Sequence, residues 1–172
     1  MSEEILKKIP VETKWAITTQ SFIGAYSAII QLVGPSVEVE KLMELNNTVM
    51  GEGSKIAFPQ IKEGFNVPVE DAIGAANLID VVTQLQMGTE FEAERVEETP
   101  ERVVVRTHKC PWGTWNKENS AWAKSEYMIC TEGHQAWGEV GLKAVNPKLT
   151  HKMTKSMMKG DPYCEYVIEF KK

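Results

Sequence analysis

Three cysteines and two histidines occupy positions where thiol and imidazole groups could act together. Cys110 falls where a strand meets a Pro111-Trp112-Gly113 turn, Cys130 falls on a helix, and Cys164 opens a strand just after Gly160-Asp161-Pro162. Element ends and turns are where binding and catalytic side chains concentrate, whereas a cysteine that only fills a core sits mid-element. Cys130 and His134 are four apart on one helix face, the spacing by which a helix offers two ligands to one metal. His108 and Cys110 are two apart and share a strand face. If these faces meet, Cys110, Cys130, Cys164 and His134 form a ligand set that suits tetrahedral zinc. The three thiolates alone suit an iron–sulfur cluster with one open iron. No Cys-x-x-Cys or His-Glu-x-x-His spacing is present. Free cysteine is also among the most buried residue types, so plain packing is the competing account.

Carboxylates and aromatic rings share the same half of the chain. Glu132 lies inside Cys130-Thr131-Glu132-Gly133-His134, where a carboxylate beside a thiolate or metal could act as general base for water. Glu126, Glu139 and Glu165 read as a solvated face, and Asp161 either meets substrate or shapes its turn with Gly160. Four of the five tryptophans, Trp112, Trp115, Trp122 and Trp137, fall here with Met128, Met153, Met157 and Met158. They are core filler or the wall of an adaptable apolar pocket for a flat ligand, with Trp112 beside Cys110 the substrate-binding candidate. Phosphate-binding Gly-rich loops, the Gly-x-Ser-x-Gly elbow and the dinucleotide fingerprint are all absent.

The elements that must position these groups follow from periodicity. Trp15, Phe22, Tyr26, Ile29 and Val33 trace a helix that Gly34-Pro35 stops. Ser36 is placed to cap a second helix carrying Leu42, Met43 and Val49, which Gly51 and Gly53 are expected to weaken. Pro68 opens a third, with Ile73, Ala76, Ile79 and Val82 inward and Gly88 at its end. The period then drops to two. Thr89 to Glu97 and Glu101 to Lys109 read as antiparallel neighbours, a helix runs from about Glu126 to Val145, and strands follow at Leu149 to Met157 and Tyr163 to Phe170. In the last strand Cys164, Tyr166, Ile168 and Phe170 share one side. The expected class is α+β: N-terminal helices packed on a C-terminal antiparallel sheet with one inserted helix. Residues 1–172 are expected to form a single domain, 1–88 mainly helical and 89–172 strand-rich with the cysteines.

Composition bounds the partners. The chain is 172 residues long with a formal net charge of -5, and its basic residues are scattered among acids, so no nucleic-acid partner is expected. The longest largely apolar stretch, Phe22 to Gly34, contains Ser27 and Gln31 and is too short to span a bilayer, so no membrane partner is expected. The N-terminus lacks a secretory hydrophobic region, which makes the cytoplasm the working compartment. Thiols stay reduced there, and an odd count of three argues further against disulfides. The partner expected is a small-molecule substrate or ligand, with a homo-oligomer as the state to test.

The order of these motifs resembles one family. Cys110-Pro111-Trp112, then Cys130-Thr131-Glu132, then Asn146-Pro147-Lys148-Leu149, then Gly160-Asp161-Pro162-Tyr163-Cys164-Glu165-Tyr166 is similar to the pattern of the L-2-amino-thiazoline-4-carboxylic acid hydrolase family. That family is similar in turn to 4-vinyl-reductase-like domains, small-molecule-binding α+β modules that can hold zinc through cysteines and a carboxylate. The resemblance covers roughly residues 100 to 172. It departs from the pattern at Glu132, where the family favours Asp, and in the Trp-rich, charged segment from Gly113 to Met128. It implies hydrolytic opening of a cyclic amidine-like C–N bond, with Cys110, Cys130, Glu132 and Cys164 as the catalytic candidates. A thiolate could attack the amidine carbon, or a metal-bound water could do so with Glu132 as base. A non-catalytic binding or sensor domain with cysteine-bound zinc, and an iron–sulfur protein, are the alternatives.

Overall fold

At Gly88 the apolar spacing changes from helical to alternating, and the chain changes from helix to strand. The computed structural model describes residues 7–114 and 129–171. The expectations attached to Trp115, Trp122, Glu126 and Met128 lie outside the described residues. Four long helices and four strands follow in order: α1 Val11–Val33, α2 Val39–Gly64, α3 Ala72–Met87, β1 Glu92–Glu98, β2 Arg102–Lys109, α4 Ile129–Val145, β3 Leu149–Lys155 and β4 Cys164–Phe170. The fold class is α+β as expected, with α4 inserted between the two halves of the sheet.

The sheet order is β1-β2-β4-β3, antiparallel throughout. Thr107 stands opposite Cys164 and Val105 opposite Tyr166. On the helix-covered face Val103, Val105, Leu149, Tyr166 and Ile168 join Ala72, Ala76, Ile79 and Val82 of α3, Phe58 of α2, and Trp137 and Leu142 of α4 in one core. The alternation expected of β4 therefore sends Cys164 toward the helices, on the same side as Tyr166 and Ile168. Helix α3 starts at Ala72, not at Pro68, because the Asp71 side chain caps it by accepting from Gly74 N at 2.8 Å.

Helix α2 runs unbroken through Gly51, Gly53 and Pro59. Gly51 is a contact, not a break: a Cβ there would lie 3.2 Å from Val140 of α4. Helix α4 returns the favour with three glycines. A Cβ at Gly133 would lie 2.8 Å from Asn46, one at Gly141 2.8 Å from Phe58, and one at Gly138 2.5 Å from the His151 ring. Absent side chains thus let α4 sink between α2 and the sheet. Its polar side chains also close the sheet edge. Gln135 Nε2 donates to His151 O at 2.7 Å and its Oε1 accepts from Met153 N at 2.7 Å, while Glu139 accepts from His151 N at 2.8 Å. An uncovered edge strand would leave those backbone groups unpaired.

Helix α1 is held differently. Its buried residues are Thr19, Ile23 and Ser27, and Trp15 Nε1 donates to Leu85 O at 2.9 Å. Tyr26 donates its hydroxyl to Asn46 of α2. Counting the turn after it, Val11–Ser36 is long and apolar enough by length and composition to cross a membrane. The expectation built on Phe22 to Gly34 alone missed this, since the helix begins eleven residues before Phe22 at Val11.

Two glycine substitutions separate contact from propensity. Gly138→Ala should lower stability to urea by about 1–3 kcal/mol through overpacking against His151. Gly53→Ala, whose Cβ would meet nothing within 4 Å, should raise it by roughly 0.5–1 kcal/mol. Equal shifts in the two unfolding midpoints would contradict the packing described for α4.

Candidate functional site

The three cysteines come from three elements, close enough for the charge of one thiolate to be felt at another. Cys110 follows β2, Cys130 is the second residue of α4, and Cys164 is the first of β4. The Cys110 sulfur feels Cys164, and the Cys130 sulfur feels both Cys110 and Cys164. All three are free thiols, half-buried. Burial pushes the Cys110 thiol up in pKa. Backbone N–H groups of Gly113 and Trp112 directed at its sulfur act the other way, and Cys164 adds a further rise. Cys130 is raised as well, by burial first and then by its two neighbours. The Cys110 and Cys130 sulfurs are thus held toward the thiol form.

The loop between β3 and β4 forms one wall. Met157 N donates to Cys164 Sγ at 3.4 Å, and Ser156 Oγ lies 2.6 Å from Thr131 Oγ1, joining that loop to the residue after Cys130. Ser156 Oγ also accepts from Met158 N at 3.2 Å. Asp161 accepts from Ser156 N at 2.8 Å, so this carboxylate shapes the loop, and the substrate contact expected of it is not what this bond provides. Trp112 is buried beside Cys110, its ring 5.2 Å from Tyr26 and 6.1 Å from Phe22 of α1. Glu132 is half-buried in the first turn of α4, two residues beyond Cys130. Thr131 and Ser156 were invisible to motif reading, because a hydroxyl pair made across 25 residues has no local signature.

The histidines do not join the thiols. His134 packs its ring 5.3 Å from Trp137, 5.2 Å from His151 and 5.4 Å from Tyr166. His108 pairs with Glu94 at 2.9 Å and lies edge-on to Tyr163. Among the described residues no group of three or more His, Cys, Asp or Glu is arranged to hold a metal ion. Zinc requires its sulfurs at about 2.3 Å from one centre; thiols that interact at longer range do not fit it. The expected quartet of Cys110, Cys130, His134 and Cys164 is therefore not assembled, and His134 is engaged in ring packing. The iron–sulfur alternative gains no support from this arrangement.

The sequence did not announce a ring cluster formed by His134, His151 and Tyr166. His151 is 2% exposed, stacks 5.0 Å from Tyr166, and has neither ring nitrogen hydrogen-bonded among the described residues. Burial holds the His134 pKa down at about 4 and that of His151 well below the usual imidazole range, with His134 adding to the latter. Strand β3 reads Leu-Thr-His-Lys-Met-Thr-Lys, a polar pattern that disguises an inward histidine.

The fold defined by these elements is one known from small α+β domains. It is similar to a trafficking protein particle complex subunit 3 from Naegleria fowleri, covalently bound to palmitic acid (TM-score 0.69, 10% identity, 91% of this chain and 96% of that one). It is also similar to the phenol-responsive sensory domain of the transcription activator PoxR with phenol (TM-score 0.60, 8% identity, 86% of this chain and 74% of that one). No curated protein matches the chain in sequence. The chain belongs to the L-2-amino-thiazoline-4-carboxylic acid hydrolase family, whose model matches residues 19–168. The match takes in α2 and α3 and most of α1, well beyond the cysteine-bearing half that carried the resemblance.

The buried imidazoles make stability pH-dependent with a definite sign. Their folded pKa values lie below the usual 6.5, so the unfolded chain binds the extra protons and stability falls as pH drops from 6.5 toward 4. Above about pH 7 the contribution is complete. His134 alone should contribute about 3 kcal/mol to that loss. Urea unfolding at pH 7.5 and 4.5 measures it, and the slope should shrink in His134→Gln; a slope unchanged by that substitution would contradict the assignment.

Proposed function

We propose that this chain is a thiol-dependent hydrolase that opens a small cyclic amidine, with 2-amino-thiazoline-4-carboxylate as the substrate its family suggests. What supports the reading is that Cys110, Cys130 and Cys164, from three separate elements, lie within electrostatic reach of one another. Cys110 is the proposed nucleophile, since backbone N–H groups of Trp112 and Gly113 favour its thiolate. The raised thiol pKa values fit a substrate that supplies its own base. A basic amidine nitrogen takes the thiol proton, and sulfur adds to the amidine carbon. The ring C–N bond then breaks, and the ring nitrogen leaves as an amine. Water, its proton accepted by Glu132, attacks the same carbon and expels the Cys110 sulfur, which recovers its proton. The balance is one substrate plus one water giving an S-carbamoyl thioester-like product. Trp112 serves as an apolar wall, and Cys130 stays a neutral thiol. We place the reaction in the cytoplasm, where thiols remain reduced.

A second reading is binding without turnover. It draws on the same protonated thiols, and on the likeness of fold to a sensory domain whose structure contains phenol. Calorimetric binding of the thiazoline with no product formed would favour it.

Turnover of 2-amino-thiazoline-4-carboxylate, followed by chromatography of the opened product, tests the first reading. Cys110→Ser should lower kcat roughly a thousandfold while the unfolding midpoint stays near that of the parent. Undiminished turnover in Cys110→Ser would remove this thiol from the chemistry.

A further inference from the structure

From Trp15 onward the surface of α1 opposite its buried residues is uncharged and largely apolar. No Asp, Glu, Lys or Arg occurs from Trp15 to Val37. Ile17 is 54% exposed, Phe22 60%, Ile29 58%, Leu32 79% and Val33 41%. Their spacing, with exposed Ser21, Ala25 and Ala28 between them, makes one continuous stripe on the helix. Small residues at its centre allow a second helix to seat closely. On α2, Leu45, Val49 and Ile56 form a further exposed stripe at 45–61%, and Leu45 adjoins Asn46, where α1 and α2 are bonded through Tyr26.

We infer that this face is the interface of a homodimer, in which α1 packs against α1 of a second copy. Two arguments choose that occupant. The exposed side chains are worth roughly 60–150 Å² each, which brings the α1 stripe, extended by the α2 stripe, to about the 800 Å² per partner that a stable pair needs. Charge supplies the second: two copies each carrying -5 repel, and an uncharged face is where they can touch without placing like charges opposite one another. A bilayer is the less suited occupant. Helices that lie on membranes carry Lys and Arg along the polar face, and α1 has none between Trp15 and Val33. Spanning would also strip Trp15 from Leu85 and Tyr26 from Asn46, leaving those polar groups to hydrocarbon.

Sedimentation equilibrium of the full chain tests the interface. The parent should be a dimer at micromolar concentration. Ile29→Glu with Leu32→Glu should weaken it by at least ~100-fold, with unchanged far-ultraviolet circular dichroism and unfolding midpoint measured at the monomer concentration. A parent that stays monomeric at 100 μM (about 2 mg/ml), or a dimer indifferent to the double substitution, would overturn the proposal. Flotation of a monomeric parent with phosphatidylcholine or phosphatidylserine vesicles would also overturn it, in favour of a lipid surface.

Discussion

The seating of α4 governs everything else. This helix lies between α2 and the sheet only because glycines face Asn46, His151 and Phe58, and because Gln135 and Glu139 bond the exposed edge of β3. Any side chain at Gly138 would meet the His151 ring, so the helix cannot slide or lift without breaking either packing or hydrogen bonds. Cys130 rides on the first turn of that helix. Its position relative to Cys110 and Cys164 is thus a consequence of contacts made one to three turns further along α4.

Around the thiols, short-range bonds complete what α4 begins. Asp161 fastens Ser156, Ser156 reaches Thr131, and Met157 N meets the Cys164 sulfur. The loop is therefore tied both to the strand it precedes and to the helix it faces. Burial raises the Cys110 and Cys130 thiols and so holds both sulfurs toward the protonated form. The half-buried His134 and the buried His151 pack as aromatic rings against one another and against Tyr166. Two imidazoles in so dry a place contribute packing at neutral pH and become a liability only in acid.

Much of this was legible in the residues themselves. The change of period at Gly88, the β-branched run at Val103, and the alternation from Cys164 to Ile168 specified helices, strands and the face Cys164 would take. Gly51 and Gly53 misled, because a glycine that admits a neighbouring helix looks the same in sequence as one that breaks its own. Cys130 and His134 misled differently: four residues apart on a helix, they differ in what lies above them, and His134 meets Trp137 and Tyr166 instead of a sulfur. His151 escaped notice because its strand is otherwise polar. Long-range partners decide such cases, and local spacing does not encode them.

Covalent bonding of the Cys110 thiol to substrate is the step on which the proposed ring opening depends. Acid-quenched mass spectrometry of the protein during turnover of 2-amino-thiazoline-4-carboxylate measures it directly. A mass gain equal to one substrate, localised by peptide mapping to the segment containing Cys110, is the predicted result. Steady product formation with no adduct on any of the three cysteines would contradict it.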